Sequence, residues 1–337
     1  METSVEKKQE VETEVVDKQP IKNVESNSKT KSLLGWMKKT SKVEDNIDTP
    51  KTITPKPLVE ELYKPTHDPS GKFAEVDVIN LVNITQTYEN PATTLFSDFN
   101  LSIKDIIKEG QFLSIMGKSG CGKSTLLRYI SGLQIPTAGD VYIYGKKRTD
   151  HDRIPMVFQQ YTSYEWMTVL ENIALPLIIN HVPKKEAKEK AMEMIKIVGL
   201  EGHEKKWAKY PNLSGGQLQR VAIARNLIVN SQILLLDEPH GALDTVTRKE
   251  MQLFIRSIYE HAKFDPTVIF VTHSESEAVF LSNKIIILDS GPASIRHEME
   301  IDLPEIRDNS VRFSSKYTEY VNQLGLMIDD LKNEKKK

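Results

Sequence analysis

The fold of this chain is decided by the stretch Gly117-Lys118-Ser119-Gly120-Cys121-Gly122-Lys123-Ser124-Thr125. Its glycines and its Lys-Ser-Thr ending have the spacing of a phosphate loop. The stretch also lies in the right context, because the apolar run 112–116 predicts a buried strand before it and residues 124–131 have helical character after it. Glycines let backbone N–H groups converge on phosphate oxygens, and the positive end of the following helix dipole favours a negative ligand.

We therefore expect residues 117–125 to bind a nucleotide. Lys123 would reach the β- and γ-phosphates, and the Ser124 hydroxyl would bind Mg²⁺. A glycine turn with only a structural role would have no need of the Lys-Ser-Thr ending.

A second motif lies downstream, where the apolar run 233–236 leads directly into Asp237 and Glu238. A carboxylate at the tip of a buried strand can hold Mg²⁺ or its waters, and the next acid is placed to polarise an attacking water. Acids at strand ends are common, so the pair gains its meaning from the phosphate loop upstream. We predict that Asp237 is a metal ligand and that Glu238 is a catalytic base.

Short apolar runs alternate with helical stretches through the rest of the chain. Strands are predicted at 268–271 and 285–288 in addition to 233–236, and helices at 184–198 and 217–229. Upstream, 76–84 and 99–103 also have strand character. This alternation predicts an α/β protein with a P-loop NTPase (RecA-like) core and a mainly parallel sheet.

A third motif, Leu213-Ser214-Gly215-Gly216-Gln217, opens a predicted helix. Ser214 and the glycine N–H groups would form another anion site at a helix N-terminus. A second such site is redundant in a protein that binds one nucleotide, unless it serves a nucleotide held by another copy. With this motif the sequence resembles the ABC ATPase family over about residues 76–303.

The resemblance implies a homodimer (or pseudo-dimer) in which the Ser214 motif of one subunit closes over ATP on the phosphate loop of its partner. It further implies an antiparallel β subdomain and a helical subdomain at about 161–226. Glu238, His273, Lys123 and Gln159 are the implied catalytic residues, and Ser124, Gln159 and Asp237 the implied Mg²⁺ ligands. ATP is the implied nucleotide, bound by Tyr88, residues 117–125, Ser214, Gly215, Gly216, Gln217 and Asp244.

The segment Trp166-Met167-Thr168-Val169-Leu170-Glu171-Asn172, together with residues 300–304, is similar to the nitrate, sulfonate and taurine importer ATPases. The chain departs from that subgroup at Glu165, at His240, at Ser274 and in 290–292. Import of a small anion is the expected function, with the aromatic segment docking a permease or forming local core. The alternatives are an ATPase of export or lipid trafficking and a soluble ABC ATPase without a transport role. DNA-acting members need a coiled-coil insertion, for which residues 117–213 leave no room.

The composition agrees with a peripheral membrane role. Lys and Arg total 45 and Asp and Glu total 47, for a net charge of -2, which gives no electrostatic reason to expect a nucleic-acid partner. The single cysteine fits a reducing compartment. Without a secretory signal or a run long enough to span a bilayer, the chain is expected at the cytoplasmic face of the membrane, with permease subunits and possibly a solute-binding protein.

The predicted domain organisation has three parts. Residues 1–72 have the composition of a disordered polar tail, interrupted by an apolar cluster around Trp36 that could be a docking motif or a chance cluster. Residues 73–304 form the ATPase domain. Residues 305–337 form a C-terminal helical extension, because apolar residues from Tyr317 to Leu331 recur at helical spacing. Whether that helix packs on the body or regulates it is left open by the sequence.

Overall fold

The computed structural model describes residues 77–89, 92–104, 110–149, 152–160, 162–241, 243–260 and 266–334. The predicted disordered tail at 1–72, with its cluster around Trp36, lies outside the described residues. In the part of the chain that is described, no helix is both long enough and apolar enough to cross a bilayer.

The strands and helices run in the following chain order. The strands are β1 (Asp77–Glu89), β2 (Ala92–Lys104), β3 (Gln111–Gly117), β4 (Ala138–Ile143), β5 (Lys146–Lys147), β6 (Met156–Val157), β7 (Ile233–Asp237), β8 (Thr267–Val271), β9 (Lys284–Asp289) and β10 (Ser294–Glu300). The helices are α1 (Lys123–Ser131), α2 (Val169–Ile179), α3 (Lys184–Ile197), α4 (Gly215–Leu227), α5 (Thr245–Glu260), α6 (Glu275–Leu281) and α7 (Ser315–Glu334), with a 3₁₀ helix at Asn309–Phe313.

The central sheet has the strand order β10-β9-β3-β8-β7-β6. Strands β9, β3, β8, β7 and β6 are parallel, and β10 pairs antiparallel with β9 at one edge. Strands β7 and β8 are buried along their whole length, as expected where helices cover both faces of a parallel sheet. The predicted α/β class with a mainly parallel sheet is confirmed.

The carboxyl ends of the parallel strands decide where the sequence motifs meet. Strand β3 runs into the phosphate loop, β7 ends at Asp237, and β8 ends two residues before His273. Strand β6 ends two residues before Gln159. Because β3, β8, β7 and β6 are successive neighbours, these residues reach one edge of the sheet.

A second, antiparallel sheet has the order β2-β1-β4-β5. Its apolar face shares one core with β3 and α1, the helix that follows the phosphate loop. Phe96 of β2 packs edge-on against Tyr129 of α1, with ring centroids 6.0 Å apart. The antiparallel sheet therefore supports the phosphate loop from one side.

The helices α2, α3 and α4 enclose a separate core, which includes Ile173, Met194 and Val221. Helix α2 begins with a capping box, because the Glu171 N–H donates to Thr168 Oγ1 and the Thr168 N–H donates to the Glu171 carboxylate. These helices lie within the predicted helical subdomain, whose limits of about 161 and 226 stay a prediction.

The C-terminal segment is fastened to the end of α6 by two buried arginines. Arg307 donates through Nη1 to the carbonyls of Val279, Phe280 and Ser282 at 2.9–3.1 Å. Arg256 donates to Leu281 O at 2.8 Å and to a carbonyl in the segment before Arg307. These acceptors are carbonyls that a helix end leaves without partners, so the arginines supply the missing donors.

Helix α7 packs on the main core, as the packing interpretation of the extension requires. Its apolar residues Tyr317, Leu324 and Leu331 are buried in the same cluster as α5 and α6. At its last turn the carbonyl of Leu331 accepts a hydrogen bond from Lys118 Nζ of the phosphate loop, at 2.5 Å.

We predict that Arg307→Ala lowers the free energy of unfolding by about 3 kcal/mol, because it leaves several buried carbonyls without donors. Urea denaturation measures the change. The matched control is Arg153→Ala, which removes an exposed arginine and should change stability by no more than about 0.5 kcal/mol. Equal stabilities for the two variants would contradict the fastening role of Arg307.

Candidate active site

The phosphate loop is a tight turn whose own carbonyls hold its lysine. Gly122 has φ +101°, and a Cβ added there would lie 2.5 Å from the Phe96 ring, so only glycine fits. The Lys123 ammonium is buried and donates to Gly117 O at 3.0 Å and to Lys118 O at 2.9 Å. The backbone of the loop therefore wraps around a positive charge, and a loop of this kind binds phosphate.

The other residues of the loop differ in exposure. Ser119 and Gly120 are exposed, whereas Ser124 and Thr125 are half-buried at the start of α1. Cys121 is fully buried in the core shared with the antiparallel sheet. Burial raises the pKa of the Cys121 thiol, so this side chain acts as a small apolar group under the loop.

The predicted metal ligands Ser124 and Asp237 are in direct contact. Ser124 Oγ donates to Asp237 Oδ1 at 3.0 Å, which joins the phosphate loop to the end of β7. Burial raises the pKa of Asp237, and the neighbouring Glu238 raises it further, against the hydrogen bond from Ser124. Two hard oxygen donors at this point suit Mg²⁺ that also binds phosphate oxygens. Among the described residues no cluster of three or more His, Cys, Asp or Glu could hold a metal without such help.

The carboxylate of Glu238 gathers the remaining predicted catalytic side chains. Gln159 Nε2 donates to its Oε2 at 3.1 Å, and His273 Nε2 lies 2.6 Å from its Oε1. Glu238 itself has φ +45°, a strained value for a residue with a side chain. Its N–H donates to Val271 O, the last residue of β8, at 3.1 Å. The position of Glu238 at the end of β7 and its positive φ together direct the carboxylate toward Gln159 and His273.

The Ser214 motif lies apart from this group. Ser214 caps α4 by accepting from the Gln217 N–H at 3.3 Å, and Gln217 Oε1 accepts from the Ser214 N–H at 2.9 Å. Gly216 packs so closely on α5 that an added Cβ would lie 2.5 Å from Thr247. Within the described residues, the motif and the phosphate loop share no hydrogen bond or ion pair. The helix N-terminus predicted as a second anion site is therefore present but is not directed at this chain's own loop.

Two other predicted residues also lie outside the Glu238 group. Tyr88 stands near the end of β1 and is 42% exposed. Asp244 accepts from the N–H groups of Val246 and Thr247 at 3.0 and 3.1 Å and so caps α5. Hydrogen bonds from Thr247 hold the pKa of Asp244 below its usual value.

Sequence reasoning missed a buried polar group beneath the site, formed by His240, Glu277, Gln252 and Thr272. His240 drew notice only as a departure from a resemblance. The sequence signal that could have found this group is the presence of His240 and Glu277 within segments that are otherwise predicted to be buried. Such residues are seldom fully buried without polar partners.

We predict that Asp237→Asn raises the thermal unfolding midpoint at neutral pH by a few degrees, in buffer without nucleotide and magnesium. A carboxyl whose pKa is raised by folding favours the protonated form, so its stabilising effect is lost as the pH rises through the folded pKa. The gain should therefore vanish in acid, where Asp237 is already protonated. Calorimetry at both pH values measures it, with the exposed Asp330→Asn as control. A variant that is less stable than wild type at neutral pH would contradict the prediction.

Comparison with known proteins agrees with this geometry. A family model described as "ABC transporter" matches residues 100–241. The aliphatic sulfonates import ATP-binding protein SsuB 1 of Shouchella clausii is 45% identical over 204 residues, 60% of this chain and 76% of that protein. The spermidine/putrescine import ATP-binding protein PotA of Clostridium novyi is 39% identical over 259 residues, 74% of this chain and 71% of that protein.

A solved structure shares the fold. The dimeric structure of a post-hydrolysis state of the ATP-binding cassette MJ0796, bound to ADP and Pi, matches with a TM-score of 0.57 and 36% identity. The match covers 67% of this chain and 100% of the other. This chain therefore belongs to the family of ABC transporter ATP-binding proteins, and it is an ATPase.

Proposed function

We propose that the chain is the ATP-hydrolysing subunit of an importer, in which two copies close around two ATP molecules and drive a solute through a membrane permease. The observation that carries the proposal is the Glu238 carboxylate, held between Gln159 and His273. It stands one residue from the Asp237–Ser124 contact at the phosphate loop. The proposed base Glu238, the proposed γ-phosphate contact His273 and the phosphate loop thus lie at the same edge of the sheet.

ATP binding would exchange the acceptors of Lys123. Its ammonium now donates to two loop carbonyls, and the β- and γ-phosphate oxygens would take their place. Because the lysine is already buried and oriented, little ordering entropy is lost when phosphate arrives. Its charge then stabilises the negative charge that spreads over the γ-phosphate oxygens in the transition state.

Ser124, Asp237 and Gln159 are the residues that would hold Mg²⁺. The Ser124 hydroxyl and the Asp237 carboxylate offer hard oxygens on adjacent elements, and Gln159 is tied to the neighbouring Glu238. When bound, the cation would neutralise part of the negative charge on the phosphates.

Glu238 is proposed to accept a proton from the water that attacks the γ-phosphate. Its carboxylate is 18% exposed, so water can reach it, while Gln159 and His273 fix its direction. Both contacts are to the carboxylate oxygens themselves. Nucleotide in the site would reorganise them, so that His273 turns to the γ-phosphate while Glu238 retains the water.

The second copy supplies what one copy lacks. The exposed N-terminus of α4, with Ser214 and Gly215, is an anion site without a ligand partner on its own loop. Asp244 caps α5, the helix on which Gly216 packs, and would lie at the same interface. The dimeric cassette bound to ADP and Pi supports this arrangement, since it is a relative in which two copies assemble with nucleotide.

We expect Glu238→Gln to lower kcat for ATP hydrolysis by about 10²–10³-fold, because an amide cannot accept the proton. The ATP dissociation constant should stay within about threefold, since the phosphate loop is untouched. Phosphate release and fluorescent-nucleotide titration measure the two quantities. The exposed Glu201→Gln serves as control and should match wild type. Near wild-type turnover by Glu238→Gln would remove this residue from the base role.

A groove beside Gln159 is the proposed docking place of the permease. It measures about 1030 Å³ counted to its open mouth and is lined by Gln159, Gln160, Ser163, Glu165, Ala208, Lys209, Tyr210, Leu218 and Gly241. At this end of the helical layer Trp166 is 70% exposed and Tyr210 is 78% exposed. Exposed aromatic surface of this kind marks protein interaction sites.

In the aromatic segment 164–172, some side chains pack within the protein and one is exposed. Tyr164 lies under Arg225, 4.4 Å from the guanidinium to the ring centroid, and the Asn172 amide is buried among backbone carbonyls. Trp166 remains free to contact a partner. Because Gln159 both lines the groove and holds Glu238, permease movement could reach the catalytic carboxylate through one side chain.

The proposed cargo is a small anion of the sulfonate kind. The sulfonate relative supports it, together with the segment 166–172. The polyamine relative shows that import of a cation uses a similar chain, so cargo charge is an outcome of the test.

The function is tested by affinity purification of the tagged full chain from detergent-solubilised membranes of its own cell. We expect a polytopic permease and a solute-binding protein, whose bound ligand is then identified by mass spectrometry. A Trp166→Ala, Tyr210→Ala double variant should lose at least about tenfold of the permease. The control is Phe313→Ala, an equally exposed aromatic elsewhere. Recovery of soluble partners alone would leave the ATPase standing and overturn the importer proposal.

A further inference from the structure

His240 lies directly beneath the proposed catalytic carboxylate and is not used by it. The turn 238–241 is closed by the Gly241 N–H, which donates to Glu238 O at 3.1 Å. Glu238 at its start meets Gln159 and His273, whereas the ring of His240 is 2% exposed and enters the core. The turn therefore presents one side chain to the active site and buries the other.

The buried ring faces a carboxylate. His240 Nδ1 lies 3.4 Å from Glu277 Oε1, and the ring packs against Phe270 with centroids 5.5 Å apart. Among the described residues, Glu277 is the acidic side chain within ion-pair distance of this imidazole. Within the described residues neither ring nitrogen of His240 makes a hydrogen bond, so the 3.4 Å approach of Nδ1 to Glu277 is an electrostatic contact. Because an unpaired buried polar group is costly, this contact is what offsets the burial of the imidazole.

Glu277 is itself the centre of a buried polar group. Gln252 Nε2 donates to Oε1 at 3.0 Å and Thr272 Oγ1 donates to Oε2 at 2.6 Å. Arg248 Nε lies 3.8 Å from Oε1. Burial raises the pKa of Glu277, but His240, Thr272 and Gln252 together hold that pKa below its usual value. The carboxylate therefore stays ionised inside the core, where its donors fix its position.

The same carboxylate reaches the loop that carries His273. Thr272, which donates to Glu277, directly precedes His273, and the Ser274 N–H donates back to Thr272 Oγ1 at 3.1 Å. Glu277 thus contacts His240 of the turn 238–241 and Thr272 of the loop 272–274. Glu238 and His273, from the same turn and loop, contact each other above it.

We infer that His240 and Glu277 form a positioning pair for ATP hydrolysis, which ties the turn 238–241 to the loop 272–274 and so fixes the relative position of the backbone segments that carry Glu238 and His273. The inference rests on the proposed roles of Glu238 and His273. Both side chains are buried, at 2% and 5% exposure, so they would act through Glu238 and His273 and not by contact with nucleotide. A displacement of a catalytic group by about 1 Å is enough to lower the rate of such a reaction strongly.

The competing explanation is plain core packing. A phenylalanine in place of His240 would fill the same space against Phe270 and would bring no polar group into the core. If packing were the whole role, that substitution would leave turnover unchanged or improve stability. The positioning pair predicts the opposite effect on turnover.

The test compares three variants of the full-length chain. His240→Phe keeps an aromatic ring and removes Nδ1, and it should lower kcat about tenfold or more with the ATP dissociation constant unchanged. His240→Asn places an amide nitrogen near the position of Nδ1 and should recover most of the lost kcat. Glu277→Gln removes the partner charge and should resemble His240→Phe.

The double variant His240→Phe, Glu277→Gln decides whether the two side chains act as a unit. It should be no slower than the slower single variant, because coupled residues are not additive. Tyr317→Phe is the matched control, since it removes one buried hydrogen bond from the same core, to Ser276 O. It should lower the unfolding midpoint without lowering kcat.

Two results would overturn the pair. One is a His240→Phe kcat within twofold of wild type while Glu238→Gln is inactive, and the other is a double variant in which the losses multiply. If Glu238→Gln also keeps full activity, the catalytic assignment fails, and the pair fails with it.

Discussion

The parallel strands of the central sheet end at one edge, and the chemistry of this chain depends on that edge. Neighbouring strands β3, β8, β7 and β6 deliver the phosphate loop, His273, the Asp237–Glu238 pair and Gln159 to within hydrogen-bond reach of one another. The interiors of β7 and β8 are buried and apolar, so the polar residues of these two strands stand at their ends. A register shift in any of these strands would separate groups that must act together.

Under the proposed function, the residues at this edge form one half of an active site that is shared between two copies. One copy would hold the phosphates, the metal ligands and the base, while its exposed Ser214 at the N-terminus of α4 would serve none of them. The two halves lie on different cores, since α4 contributes to the core of the helical layer and the phosphate loop packs on the core between the two sheets. Closure of a second copy over the first explains both facts. Turnover then depends on assembly, because most of the catalytic effect comes from positioning.

The sequence predicted the parts of this site whose chemistry is local. The glycines of residues 117–125 and the acids after the run 233–236 have fixed spacing, so their places on the sheet edge followed from the strand pattern alone. Asp244 was predicted as an ATP-binding residue, and its observed contacts cap α5, a role that its place before a helix could also have indicated. The edge strand β10 was missed because its alternating charged residues resemble a surface loop.

Long-range partners could not be read from the pattern. His240 and Glu277 belong to different elements, and nothing local indicates that a turn histidine will meet a helix glutamate in the core. The same holds for Arg307, whose partners at the end of α6 are set by how the C-terminal segment crosses the molecule. Such contacts depend on tertiary packing, which overrides local preference.

The measurement that tests the central claim most directly is the mass of the purified full-length Glu238→Gln chain, by light scattering, with and without MgATP. The account predicts the monomer mass without nucleotide and twice that mass with MgATP. The same chain carrying Ser214→Phe should stay monomeric although it still binds ATP. A Glu238→Gln chain that binds ATP and remains monomeric at every concentration would contradict the shared site.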